Sequence, residues 1–402
     1  MNNALRFSLF AAGIVTVGLT LAVSAISQAP KEIVIGASVP QSGPLGGFGA
    51  YATWAYTKAV SEVNAKGGLK LSKLGVTLPV KLVMYDDESR PELAAQNTER
   101  LITKDGAVGL VGGGTPPLSI SDAVVAEREG IPFVTSAPIR AVLGANPTGW
   151  KWTHVLFFDE LKMTDQQFLT LNTLKTNKKV ALFTDNEQDG VIMGGLWEEK
   201  AAKFGFKIVY HAKFPVGTSD YGDLIRKAQE AGADAVICQM IPPDTIALRK
   251  QMQALNFKPK AMFAKKGGET YDFWKALDPL AQGVMVAGYW HPNLKYPGAS
   301  DLKKQFESET KQPYGQLLAS AKTHIQVLMD GIVRAGNLEP KAIDDAIGKT
   351  NKTYVAGPIK FTEGIGARAA VLKIFMTQWQ NGNAEIVYPK SLQTAPAIFP
   401  MP

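Results

Sequence analysis

EIVIGASVPQSGPLGGFGA, residues 32–50, decides the fold. It opens with Ile33-Val34-Ile35, an apolar run of the kind a buried strand needs, and then breaks into Gly, Pro and Ser. A long amphipathic segment follows from about Tyr51. The order is strand, glycine-rich loop, helix. In an open parallel sheet, ligands bind beyond the carboxyl ends of the strands, which places residues 38–48 at a binding site if the rest of the chain is α/β.

The rest alternates in the same way. Residues 80–85 form a strand ending in Asp86-Asp87-Glu88, and Ser89-Arg90-Pro91-Glu92 has capping-box spacing before a helix to about residue 104. A strand over 107–111 leads to the loop Gly112-Gly113-Gly114-Thr115-Pro116-Pro117 and a helix over 119–129. A strand over 132–135 ends in Ser136-Ala137-Pro138. The pattern restarts after Trp152, with strands over 179–184, 208–214, 235–240, 260–264 and 283–288. Asp244 stands where it can cap a helix to residue 255, and Lys265-Lys266-Gly267-Gly268 reads as a loop. Two such series predict two lobes with parallel sheets, their loops facing one cleft. The tail differs: helices over 300–309, 314–334 and 340–349, a strand over 370–378 and a hairpin turn at Asn381-Gly382. Strands after helices mean that the chain crosses between the lobes more than twice.

The chain has 402 residues, 46% hydrophobic and 20% charged, and is globular rather than disordered. Arg6 precedes an apolar run over 7–26 and small residues to Ala29, the pattern of a secretory signal peptide over 1–29. The alternative, a retained spanning anchor, would suit a ligand sensor. No cysteine stands there to make a lipoprotein, and the one cysteine, Cys238, sits in an apolar run as a core residue. The net charge of +7 comes from scattered lysines, a solvated basic surface rather than a nucleic-acid site.

Enzyme motifs are wanting. Gly47-x-Gly49-x-x-Ala52 is a loose dinucleotide fingerprint without the acidic residue expected about twenty positions on. His154, His211, His291 and His324 are scattered and form no metal-binding set, and Asp86-Asp87-Glu88 reads as a loop before a helix. The expectation is a non-enzyme with no cofactor and no metal.

Several pieces resemble, in order, the leucine/isoleucine/valine-binding family of periplasmic ABC-importer receptors: IVIGASVPQSGPLGGFGA, VSEVNAKGGLK, LVMYDDESRPELAAQ, LVGGGTPPLSISDAVVAEREGIPFVTSAP, KVALFTDNEQDG, ADAVICQM and GPIKFTEGIGARAAVLKIFMTQWQNG. The resemblance implies a type I periplasmic-binding-protein fold, α/β, with two Rossmann-like lobes joined by a three-strand hinge. It implies an N-terminal lobe of 30–154 and 289–352 and a C-terminal lobe of 155–288 and 353–402. It further implies a monomer that traps a small solute by hinge closure and delivers it to an inner-membrane ABC permease.

Carried over position by position, the family's ligand contacts fall on Phe48, where Tyr is usual, and on Thr115, Pro116 and Ser119. Pro116 has neither hydroxyl nor N–H, so Thr115 or Ser119 must substitute, and Ser119 reads equally as a helix N-cap. The next loop gives Ser136, Ala137 and Ile139, with Arg140 nearby. On the second lobe the positions are Asp189, Ile241 and, in place of the carboxylate that holds an amino acid's ammonium, Lys265 with Lys266 beside it. A lysine repels an ammonium, so the expected ligand is a small carboxylate, aromatic, aliphatic or dicarboxylic, rather than leucine. An amino-acid or amide ligand is the alternative. Trp150, Trp152, Phe157, Phe158, Tyr289 and Trp290 cluster around the expected crossings, mostly as hinge packing.

Overall fold

The computed structural model describes residues 30–361 and 368–402, so the expected signal peptide lies outside the described residues. Two sheets organise the chain. The first has the spatial order Ala369–Val371, Thr153–Phe157, Phe133–Ser136, Gly109–Gly113, Ile33–Val39, Val80–Asp86. The second runs Asn383–Tyr388, Phe375–Gln380, Met285–Gly288, Ala261–Lys266, Ala235–Met240, Lys179–Asp185, Lys207–Phe214. All first-sheet pairs are parallel, with Ile33 opposite Val80 and Ile35 opposite Gly109. Strands such as Ala235–Met240 are buried along their whole length because helices cover both faces, and they therefore read as unbroken apolar runs.

Proline and glycine set the helix bounds. Pro91, Pro116, Pro242 and Pro340 each open a helix, where the absent N–H costs nothing. The helix Pro116–Glu129 therefore starts before residue 119, and the helix Gly46–Asn64 starts before residue 51. Two expected caps are corrected. Ser89 adopts φ 63° and its hydroxyl donates to the Ser42 carbonyl at 2.8 Å, leaving Arg90 at the N-cap. Asp244 lies inside the helix Pro242–Ala254 and accepts from the Gly217 N–H at 2.8 Å. Both side chains tie neighbouring loops together instead of capping.

The chain crosses between sheets three times: after Thr153–Phe157, after Met285–Gly288 and after Ala369–Val371. The third crossing differs from the expected lobe division and from the expected strand over 370–378. That stretch breaks at exposed Lys373, so Ala369–Val371 joins the first sheet and Phe375–Gln380 the second. The hairpin Asn351–Tyr354 with Gly357–Lys360 also stays with the first sheet's layer. Tyr354 donates to Asp330 on the helix Leu317–Ala335 at 2.7 Å. At the other end, Asn381 and Gly382 both have positive φ, 51° and 83°, the two-residue turn that suits right-twisted strands.

A candidate ligand site between the lobes

The first wall is built from the carboxyl ends of Ile33–Val39, Gly109–Gly113 and Phe133–Ser136. Its leading loop is held by Asp86, whose carboxylate accepts from Gln41 N at 3.0 Å, Ser42 N at 3.2 Å and the Ser42 hydroxyl at 2.6 Å. Asp86 is therefore a loop anchor. Its neighbour Asp87 is buried, and burial pushes its carboxyl up to about 7. Phe48 and Ser136 line one small cavity of 20 Å³ with Gly112 to Gly114. Thr115 is the buried N-cap residue of Pro116–Glu129, with no side-chain cap bond. Ser119 is not an N-cap: its hydroxyl lies 2.9 Å from that of Thr135, inside the lobe. Ala137 and Ile139 are fully buried. Just after them, the N–H groups of Arg140 and Ala141 meet the Glu160 carboxylate at 3.0 and 2.9 Å, and the Arg140 guanidinium pairs with Asp159 at 2.6 Å. This turn already has an anion, supplied by the chain.

The second wall is built from the carboxyl ends of Lys179–Asp185, Ala235–Met240 and Ala261–Lys266. Lys265 and Lys266 end the strand instead of lying in a loop, and each side chain is only 4% exposed. Neither is unneutralised. Lys265 Nζ lies 2.5 Å from Glu269 Oε1 and 4.6 Å from the centroid of the Phe158 ring, a cation–π contact from the hinge. Tyr289 donates to the other Glu269 oxygen at 3.4 Å. Lys266 contacts Glu187 closely and lies 3.5 Å from Asp189, whose carboxylate also accepts from Gln239 Nε2 at 2.6 Å. Burial works against the Lys266 ammonium, but Asp189, Glu187 and Asp185 outweigh it and raise its pKa. Asp185 goes the other way. Burial pushes it up to about 7, Lys266 opposing and Asp189 and Glu187 adding to the rise. Ile241 is a buried N-cap residue beside this cluster.

Glu269, Glu187 and Gln239 were not anticipated, and Tyr289 was expected only as one of the aromatics at the crossings. Glu269 reaches Lys265 because the chain doubles back at Gly267-Gly268. A Cβ at Gly267 would stand 1.9 Å from the Thr245 hydroxyl oxygen, so only glycine permits the turn. The Lys-Lys-Gly-Gly-Glu spacing was the available signal.

The walls face each other closely. Gln188 Nε2 donates to the Ala141 carbonyl at 3.2 Å across the cleft. A Cβ at Gly47 would lie 2.5 Å from Asp272 Oδ2 on the opposite lobe. Phe157, Phe158 and Tyr289 form an aromatic floor, with Phe157 centroids 4.5 and 4.8 Å from the other two rings. Trp150 packs inside the first lobe, its indole N–H donating to Val142 at 2.8 Å.

The sequence pattern of the family described as periplasmic binding protein matches residues 32–384, both lobes and all three crossings. The chain belongs to this family. A relative of this periplasmic binding protein, "Leu/Ile/Val-binding protein homolog 7" from Brucella abortus, is 22% identical over 390 residues, covering 90% of this chain and 93% of the relative. The branched-chain amino acid transporter substrate-binding protein LivJ from Streptococcus pneumoniae, solved in complex with isoleucine, shares the fold with TM-score 0.76. It is 20% identical and covers 89% of this chain and 100% of that one. An ABC-transporter solute-binding protein from R. palustris, solved in complex with benzoate, has TM-score 0.74 and 18% identity over 91% of this chain and 97% of that one. The fold is thus that of type I periplasmic binding proteins, and the family binds substrates for transport rather than transforming them. Among the described residues no helix is long and apolar enough to cross a membrane.

Proposed function

We propose that this protein, the periplasmic binding component of a branched-chain amino acid type ABC importer, is a secreted monomer that traps a small carboxylate between its lobes and hands it to an inner-membrane permease. The buried Lys265–Glu269 pair carries the reading of the ligand. The expected anionic ligand rested on unneutralised lysines, and the charge count changes that. Lys265 and Lys266 supply two positive charges against three negative from Glu187, Asp189 and Glu269, so a bare anion adds to an excess of negative charge. A carboxylate that also carries an ammonium, amide or hydroxyl donor avoids this, placing its acid on Lys265 and its donor on Glu269. Closure then excludes water and strengthens both contacts. A second reading, a bare aromatic acid, is favoured by the Phe157–Phe158–Tyr289 floor beside Lys265, and the R. palustris neighbour holds benzoate.

A thermal-shift panel of leucine, valine, their amides, hydroxy acids, benzoate and dicarboxylates tests both. Compounds with an acid and a donor are expected to stabilise most. Stabilisation by benzoate without its amino or hydroxy counterparts selects the second reading. A panel in which no carboxylate stabilises the protein rejects both.

Hinge closure makes its own prediction. Gly47→Ala puts a methyl group against Asp272 and Thr270 only when the lobes are shut. The stabilising compound should dissociate about tenfold faster, equivalent to ~1.4 kcal/mol of lost closure, while the Tm of the empty protein is unchanged. Stopped-flow release measures the first and calorimetry the second. An unchanged release rate contradicts the closure.

A further inference from the structure

Asp185, Glu187 and Asp189 bring carboxylate oxygens within 4.8 Å of one another at the carboxyl end of the Lys179–Asp185 strand. Three carboxyl groups so close, two of them buried and Glu187 partly exposed, are eased by a cation beside them. The chain supplies its own. Lys266 reaches over from the neighbouring strand end, touching Glu187 and lying 3.5 Å from Asp189. Its backbone is at φ 64°, a left-handed conformation that a residue with a Cβ avoids unless the surroundings impose it. Two polar atoms at this cluster have no partner among the described residues: Asp185 Oδ2 and Gln239 Oε1. Gln239 is 1% exposed, and its amide is brought to the cluster by its bond to Asp189. The cage thus offers more acceptor capacity than the lysine uses, as a site shaped for a cation does.

We propose that Lys266 is a specificity determinant: its ammonium plugs a cation site formed by Asp185, Glu187 and Asp189, and so bars solutes that carry a second, free amine at this end of the cleft. The inference rests on the proposed ligand cleft only for the cage's place on its wall. It narrows the ligand class, because a zwitterion can use Lys265 and Glu269 while a diamine or basic amino acid meets Lys266 in the site its extra charge would need.

The test uses the full chain as Lys266→Met and Lys266→Arg, with ethylammonium chloride as the probe and sodium chloride at matched ionic strength as control. Lys266→Met is expected to lose Tm and to regain it saturably as ethylammonium is added. The parent and Lys266→Arg, whose cages stay filled, should show no such rise. Putrescine and free lysine should stabilise Lys266→Met alone. If Lys266→Met does not fold, the double variant Lys266→Met with Glu187→Gln removes one charge of the cage and should give the same selective amine response. Equal responses in parent and variants, or none in the folded variant, overturn the proposal. A response to Ca²⁺ without one to ethylammonium overturns it in favour of a metal. The amine response needs no natural ligand, so a failed ligand panel and a failed plug are separate outcomes.

Discussion

Lys265→Met is expected to destabilise the protein by about 3–5 kcal/mol, read as a lower urea midpoint, because breaking a buried ion pair strands the remaining charge. The two side chains are 4% and 3% exposed and 2.5 Å apart. Without the lysine, Glu269 keeps the Lys266 backbone N–H at 3.2 Å and the longer contact from Tyr289 at 3.4 Å, neither of which carries a charge. The double variant Lys265→Met with Glu269→Gln should recover much of the loss, since replacing both partners removes the desolvated charge itself. Salt should alter the cycle little, because buried pairs are weakly screened. A loss below about 1 kcal/mol, the range of exposed pairs, would mean that the pair is solvated in the free protein. The double variant, stable again, should still fail to retain the carboxylate ligand, which separates the pair's role in folding from its role in binding.

The scaffold was legible because its signals are local. A buried parallel strand such as Ile33–Val39 shows itself as an apolar run, and Pro91 and Pro340 mark helix starts. The third crossing was not, because AVLKIFMTQ, residues 370–378, reads as one strand and only exposed Lys373 marks the break. In the site, Lys265 and Lys266 were recognised as departures from the resembled family. Their meaning depended on partners that no periodicity announces. Glu269 arrives through the Gly267-Gly268 turn, Glu187 from another strand end and Phe158 from the hinge. Counting lysines without those carboxylates gave an anion site, whereas the assembled cleft has excess acid. The first wall shows the same limit. Ser119 turns inward to Thr135, and Glu160 fills the turn after Ile139, contacts set by packing across 16 to 20 residues of chain.

Asp344→Asn should be comparably costly, about 3–5 kcal/mol at neutral pH by the same reasoning for a buried charge partner. Asp344 receives the His154 ring at 2.7 Å and the Arg368 guanidinium through two contacts of 2.5 and 2.8 Å, a bidentate pair. His154 lies on the crossing strand Thr153–Phe157, and Arg368 leads into Ala369–Val371, bonding the Val155 N–H through its carbonyl at 2.8 Å. One carboxylate on the helix Pro340–Gly348 thus ties two hinge strands together. Burial alone would raise its pKa, but His154 and Arg368 outweigh burial and hold it below the ordinary carboxylate value. Burial keeps His154 itself below its ordinary value, so the imidazole stays neutral around pH 7. A depressed carboxylate contributes stability that is fully present above its unfolded pKa of about 3.9 and is lost as the pH falls through the lower folded value. The parent should therefore exceed Asp344→Asn by a constant margin from pH 7 to about 5, and the two curves should converge below about pH 4. Urea melts across that range measure it. Curves that stay parallel as the pH falls through and below the ordinary carboxylate range would show that the clamp does not depend on the Asp344 charge.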